Sequence, residues 1–539
     1  MAHSPHLSSQ RKGASAPYWL YLFAIALFLY FSTYLYPLEA TDWEAKHFVW
    51  YTRYLSLFST EGLMSVALYM VLWDTLVRWK YWGWLVWLPF AAYQGCCLYM
   101  YHELGISGLN AHLGSILATD WAEASTFFTW RNVLGAALAL LLNYALYRLG
   151  RALLPGVPGR GGRVCLALEL VLLASLPLVV LFAGGCGAPA FTRYHTAGWL
   201  AQSILRHGGN ELVELRNLPS AAEGESSRTP SAQPLTLIYV LGESVRYDHL
   251  QLYGYQRPTT PLLCQRHAGG ELLHYRALSY DTSTIKSAQG MFTNTDNTSR
   301  RATVGSFISL FRKHGVPTAF VSSMSRGGTP TLMLLTEECD EIVSMDSFGV
   351  EEVLDTLRSR FANPRKDQIV IVQTKGSHFH YNNKYPHDRF SAFTPDENYH
   401  DMTVENVDLV NAYDNTIVYL DYFLNEIMEM FKDSPAVLVY CSDHGESLGE
   451  EGRFMHESPL TAMEQRRVPL MIWGSEPYRR LHAGTWQALR SHVEEEVEHG
   501  HLFHTLLSLG GIDSVWKRKE MDLTQPAEPA SEAEAPLPE

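Results

Sequence analysis

Residues 436–456 read AVLVYCSDHGESLGEEGRFMH. Seven mostly apolar residues end abruptly in Asp443 and His444. A short continuous run of this kind is a strand covered on both faces, and such strands belong to parallel sheets. Four more runs share the pattern: LTLIYV (235–240), PTAFVSS (317–323), QIVIVQT (368–374) and VPLMIWG (468–474). Segments of helical spacing lie between them, such as VENVDLVNAYDNTIVYLDYFLNEIMEMF (404–431). The alternation predicts an α/β domain with a largely parallel central sheet sandwiched by helices. In such sheets, ligands gather outside the carboxyl ends of the strands.

Those ends carry chemistry. LIYVLGES runs out at Glu243, VIVQTKGSH at His378, and His456 lies twelve residues beyond His444. Carboxylates and imidazoles together suit Zn²⁺ or Mn²⁺. An Asp-His pair after a strand is more often a helix-capping turn, but four such segments with the same chemistry favour a metal site. A divalent cation lowers the pKa of a coordinated oxygen and can activate an alcohol. SYDTSTIKSAQGMF (279–292) supplies the alcohols: Ser279, Thr282, Ser283, Thr284 and Ser287. This cluster opens a predicted helix, whose N-terminus favours an anion such as phosphate. Ordinary N-capping accounts for some of these hydroxyls equally well.

The rest of the 539-residue chain divides into unlike parts. Apolar stretches of bilayer length occur at about 17–38, 60–77, 82–101, 132–149 and 164–185. They predict a transmembrane domain of five spans over 1–187. Arg11 and Lys12, then Arg78 and Lys80, then Arg148, Arg151, Arg160 and Arg163 flank alternate ends of the spans. The positive-inside rule therefore puts the N-terminus in the cytoplasm and everything after span five outside it. Residues 188–234 read as an interfacial helix, APAFTRYHTAGWLAQSILRH, and a Ser/Pro/Glu-rich linker. The soluble domain is expected over 235–519, and an acidic disordered tail over 520–539. A formal net charge of −14 argues against a general nucleic-acid binder. Of seven cysteines, Cys264, Cys339 and Cys441 lie in the soluble half, enough for at most one bridge among themselves, and no CxxC spacing occurs.

GESVRYDHLQLYGYQRPTTP (242–261), DTSTIKSAQGMF (281–292), KGSHFHYNNKYP (375–386), YDNTIVYLDYFL (413–424) and SDHGESLGEEGRFMH (442–456) occur in that order. In order and spacing they resemble the bacterial phosphoethanolamine transferases of the alkaline phosphatase and sulfatase superfamily. That group includes the lipid A modifying and mobile colistin-resistance enzymes. The resemblance covers nearly the whole chain, and it implies an alkaline-phosphatase-like (sulfatase-like) catalytic domain. It aligns Thr284 with the nucleophile and Glu243, Thr284, Asp443 and His444 with the zinc ligands. It aligns His378 and His456 with histidines serving substrate or a second metal. GSILATDWAEA (114–124) resembles a segment facing the lipid headgroup, with Ser115, Thr119 and Glu123 on one helical face.

The implied protein is a multi-pass bacterial inner-membrane enzyme with a periplasmic catalytic domain. It would use Zn²⁺, with Mn²⁺ as second choice. It would move phosphoethanolamine from phosphatidylethanolamine through a phospho-threonine to lipid A, lipopolysaccharide core or another envelope glycan. Competing readings are a glycerol-phosphate transferase of the lipoteichoic acid synthase type and a lipid-binding pseudoenzyme. The chain also departs from the family pattern. The cysteines that flank the nucleophile in the family are here Tyr280 and Gly290. GSHGP becomes Gly376–His380, which introduces His380, and a family lysine is absent near VSSMSRGGT (321–329), where Arg326 is a weak stand-in. These departures bear on the acceptor and leave the metal and nucleophile positions intact.

Overall fold

The computed structural model describes residues 15–33, 130–153, 211–324, 329–345, 349–397 and 406–527, together with residues 70, 73, 74 and 77. The chain divides into two units, Met1–Gly208 and Gly209–Glu539.

In the first unit, α1 (Ser15–Thr33) and α2 (Trp130–Leu153) coincide with the first and fourth expected spans. Trp73 Nε1 donates to Tyr21 Oη at 2.7 Å, and Arg151 donates to the carbonyl of Val77 at 2.9 Å. Among the described residues, no helix is long and apolar enough to cross a membrane. The stretches expected as spans at 82–101 and 164–185, the interfacial helix, and Ser115, Thr119 and Glu123 lie outside the described residues. So does most of 60–77.

The second unit is built on an eight-stranded sheet. Its strands are β1 (Thr236–Gly242), β2 (Leu272–Leu278), β3 (Thr318–Ser322), β4 (Glu341–Ser344), β5 (Gln368–Gln373), β6 (Ala436–Ser442), β7 (Arg467–Gly474) and β8 (Glu496–Glu498). The spatial order is β8-β2-β7-β6-β1-β5-β3-β4. All neighbours are parallel except at β7, which runs antiparallel to both β2 and β6. The five apolar runs are all strands, but VPLMIWG runs against the others. A parallel neighbour needs a crossover, usually a helix. Residues 443–466 contain only short 3-10 turns and a two-stranded ladder, so the chain stays at one edge of the sheet and returns antiparallel.

Both faces of β1 are covered. Leu237, Tyr239 and Leu241 join one buried cluster with Phe292 of α3 (Thr284–Phe292) and with Leu502 and Leu506 of α5 (Gly500–Leu509). The alternate residues Ile238 and Val240 are equally buried. The long helix α4 (Val407–Phe431) buries Leu409, Tyr413, Ile417, Leu420 and Leu424, an apolar stripe at helical spacing.

Two expectations about the flanks change. The stretch 217–234, read as linker, contains Ser226–Arg228, which pairs antiparallel with Ile512–Ser514. Arg228 of that stretch also ion-pairs with Asp367. Residues 520–527, read as the start of a disordered tail, are packed: Leu523 is buried, and Asp522 accepts from Ser508 Oγ at 2.6 Å. A single apolar anchor and a buried carboxylate hold the segment, which composition averaging hides. Residues 528–539 lie outside the described residues.

Candidate active site

Sheet register brings the ligand candidates together. Gly242 pairs with Ser442, and Leu241 pairs with Gln373. Glu243, Asp443 and the loop carrying His378 therefore leave adjacent parallel strands at the same edge. Thr284 arrives from β2, two strands beyond β6 and running the same way. The turn 279–283 carries it across.

Glu243, Asp443 and His444 are buried, and each offers a ligand atom within 4.8 Å of the others. Thr284 Oγ1 lies 3.5 and 3.4 Å from the two carboxylate oxygens of Glu243 and 3.3 Å from His444 Nε2. His444 Nε2 is 3.5 Å from Glu243 Oε1 and 3.4 Å from Asp443 Oδ2.

Backbone contacts aim these atoms. Asp443 Oδ1 accepts from the amides of Ser244 at 3.1 Å and His444 at 2.8 Å. Asp443 Oδ2 is left buried and accepts no hydrogen bond. The carbonyl of Gly445, 2.8 Å from His444 Nδ1, takes the Nδ1 proton and leaves Nε2 as the lone-pair position. Ser244 holds a left-handed φ of 60° directly after Glu243. Gly376 has φ 48°, and a Cβ there would meet Glu243 Cβ at 2.7 Å. Two carboxylates, an imidazole and a hydroxyl on so small a span, one oxygen orphaned, fit a divalent cation such as Zn²⁺.

Of the clustered hydroxyls, three are committed to backbone carbonyls. Ser279 and Ser287 donate to the carbonyl of Asp281 at 2.6 and 3.0 Å, and Thr282 donates to that of Ser458 at 2.6 Å. Thr284 alone among them meets the acidic cluster, as the first residue of α3. It is half-buried, whereas Glu243, Asp443 and His444 are fully buried.

A second group, His444, Glu446 and His456, adjoins the first. The ladder pairing Ser447 with Met455 and Leu448 with Phe454 folds the chain back on itself. His456 Nδ1 thereby meets Glu446 Oε2 at 3.0 Å, and Tyr381 Oη donates to Glu446 Oε1 at 2.8 Å. The rings of His378 and His456 lie 5.2 Å apart. His380, the residue that the altered GSHGP segment introduces, is buried. Arg326 lies outside the described residues.

Burial and crowded charge favour the protonated forms of this cluster. Burial, and then the charge of Asp443, pushes the Glu243 carboxyl up to about 7. Burial likewise raises Glu446, partly offset by His444 and His378. For His444 burial works downward, but Asp443, Glu243 and Glu446 together outweigh it and raise the imidazole.

Tyr280 and Gly290, the positions of the family's cysteines, are in contact. A Cβ on Gly290 would lie 2.5 Å from Tyr280 Cβ, so the glycine makes room for the tyrosine. The Arg300 guanidinium stacks 4.2 Å over the Tyr280 ring, donates to the Tyr280 carbonyl at 2.7 Å and pairs with Asp281 at 2.9 Å. Cys264, Cys339 and Cys441 are free.

Residue reading missed Glu446, although it stands two residues after His444 in the same motif. It also missed Ser244, whose backbone conformation has no sequence signal.

The Sulfatase family model matches residues 236–512, more than half of the 539 residues. Kdo(2)-lipid A phosphoethanolamine 7''-transferase of Escherichia coli is 28% identical over 300 residues, covering 52% of this chain and 52% of that protein. The chain thus spans about half the length of the first curated relatives it matches. Phosphoethanolamine transferase EptA of Helicobacter pylori is 29% identical over 456 residues, covering 79% of this chain and 81% of that protein. The structure of the integral membrane protein lipooligosaccharide phosphoethanolamine transferase A from Neisseria meningitidis superposes with a TM-score of 0.69. It has 23% identity and covers 93% of this chain and 98% of that one. That likeness is one of fold.

Proposed function

This chain belongs to the sulfatase family, and we propose that within it the protein is a metal-dependent phosphoethanolamine transferase of the bacterial inner membrane. Its donor is phosphatidylethanolamine, and its acceptor is lipid A, lipopolysaccharide core or another envelope glycan. The organisation is a multi-pass N-terminal domain with a cytoplasmic N-terminus, followed by a periplasmic catalytic domain. The observation that carries the reading is the Thr284 hydroxyl, 3.3 to 3.5 Å from Glu243 and His444.

Glu243, Asp443, His444 and Thr284 would hold the cation. A divalent cation such as Zn²⁺ would supply Lewis acidity toward the Thr284 hydroxyl and a phosphoryl oxygen. The Thr284 hydroxyl gives its proton to solvent. Thr284 Oγ1 attacks phosphorus in line, forming an oxygen–phosphorus bond as the bond to the diacylglycerol oxygen breaks. The departing oxygen takes a proton from His456 or His378. The same imidazole then accepts the proton of an acceptor hydroxyl, which attacks phosphorus and frees Thr284. Glu446 keeps His456 oriented through its Nδ1 contact at 3.0 Å. The intact set of Glu243, Thr284, Asp443 and His444 favours this over a pseudoenzyme.

Mass spectrometry of lipids and glycans from cells with and without the protein tests the reading. A phosphoethanolamine-sized gain on one envelope component is expected and names the acceptor. No gain on any component would sink it.

A further inference from the structure

His499 belongs to neither ligand group, yet it touches the backbone behind both halves of the site. Its side chain is fully buried. Nδ1 accepts from the amide of Tyr280 at 3.1 Å, and Nε2 meets the carbonyl of Ser442 at 2.9 Å. A backbone amide can only donate and a carbonyl can only accept. The pair therefore requires the neutral tautomer with its proton on Nε2. Burial supports this by pushing His499 down to about 4. The His499 amide makes a third tie, to the carbonyl of Leu278 at 3.1 Å.

These anchor points are close to the chemistry. Tyr280 precedes Thr284 by four residues, and Ser442 immediately precedes Asp443 and His444. β7 separates the two strands that lead to them, so no ladder hydrogen bond links β2 to β6 directly. At this edge the imidazole spans that gap.

We propose that His499 is a positioning residue, an imidazole strut that sets the separation between the turn carrying Thr284 and the strand end carrying Asp443 and His444. Its catalytic consequence rests on reading Thr284 as the nucleophile. The strut itself is read independently of activity.

The test uses the full chain in detergent, with His499→Ala, His499→Asn and His499→Gln. Asparagine places an oxygen near the Nδ1 position, whereas glutamine places an amide near the Nε2 position. The readout is hydrogen exchange at the Tyr280 amide. H499A and H499Q should speed it by about tenfold or more, and H499N should hold it within about threefold of wild type. Loss of the strut should lower kcat by about a hundredfold in H499A with KM little changed, since misplacement of a nucleophile acts on the chemical step. If H499A does not fold, the contrast between H499N and H499Q still decides. The strut is overturned if the Tyr280 amide is unmoved in H499A, or if H499N exchanges as fast as H499Q. Its catalytic role is overturned if the amide is lost while kcat stays within about twofold. If wild type forms no Thr284 adduct yet the exchange pattern holds, the transferase reading fails and the strut stands.

Discussion

Asp443 shows how one residue serves fold and site at once. One oxygen is consumed by two amides, at 3.1 and 2.8 Å, and the other is buried without a hydrogen bond. An orphaned buried acceptor costs stability unless something meets it. Asp443→Asn keeps an oxygen for the two amides but takes the charge from the orphaned position. Zinc affinity, measured by chelator competition, should fall by about a hundredfold or more, beyond what loss of an outer contact costs. Glu243 carries the complementary signature in pH. Its folded pKa, about 7, is raised by burial and by Asp443 above the ordinary carboxyl value of 4.5. Between those values the folded state binds more protons than the unfolded one, so stability falls as pH rises. His444 is also raised, and its contribution falls in the same direction. Melting of metal-free protein at about pH 5 and about pH 8 should show this loss, and Glu243→Gln should lack Glu243's part of it. An unchanged difference between wild type and E243Q across that range would count against the assignment. The residues most legible from sequence were those at the ends of apolar runs, because the run itself says where the strand stops. His499 was not, because a contact between distant segments leaves no local pattern.

At the scale of elements, tight turns do the aiming. Gly376 lies on the loop after β5 with φ 48° and no room for a Cβ against Glu243. Gly376→Ala should displace Glu243 and lower both thermal stability and metal content. Full metal content in the variant would show that the loop yields freely. The turn carrying Thr284 is braced on its other side by Tyr280, Gly290 and Arg300 rather than by a crosslink. Tyr280→Ala removes a ring that is only 5% exposed and should cost about 3 kcal/mol or more in denaturant unfolding. The five continuous apolar strands were readable because burial on both faces leaves no polar alternation. β2 was not, since LLHYRAL interrupts its run with His274 and Arg276. β4 and β8, with four and three residues, are too short to carry a pattern. The direction of β7 depends on what the connection before it does, which hydrophobicity does not encode.

At the scale of the whole molecule, the proposed transferase has its candidate active site in the unit Gly209–Glu539, and its unit Met1–Gly208 is expected as a membrane domain. On the proposed reading the donor is held in the bilayer, and diacylglycerol would stay in the membrane while the phosphoethanolamine moves outward. Reconstituted protein should therefore consume phosphatidylethanolamine and release diacylglycerol in zinc-replete vesicles, and a chelator should stop both. Thr284 itself is proposed to carry the transferred group. The direct measurement is peptide mass spectrometry of the full chain after brief incubation with phosphatidylethanolamine vesicles and zinc, without acceptor. A phosphoethanolamine adduct is expected on the peptide containing Thr284 and is absent from Thr284→Ala. An adduct on another residue, a glycerol-phosphate adduct at Thr284 when both headgroups are offered, or full transfer by T284A would contradict it.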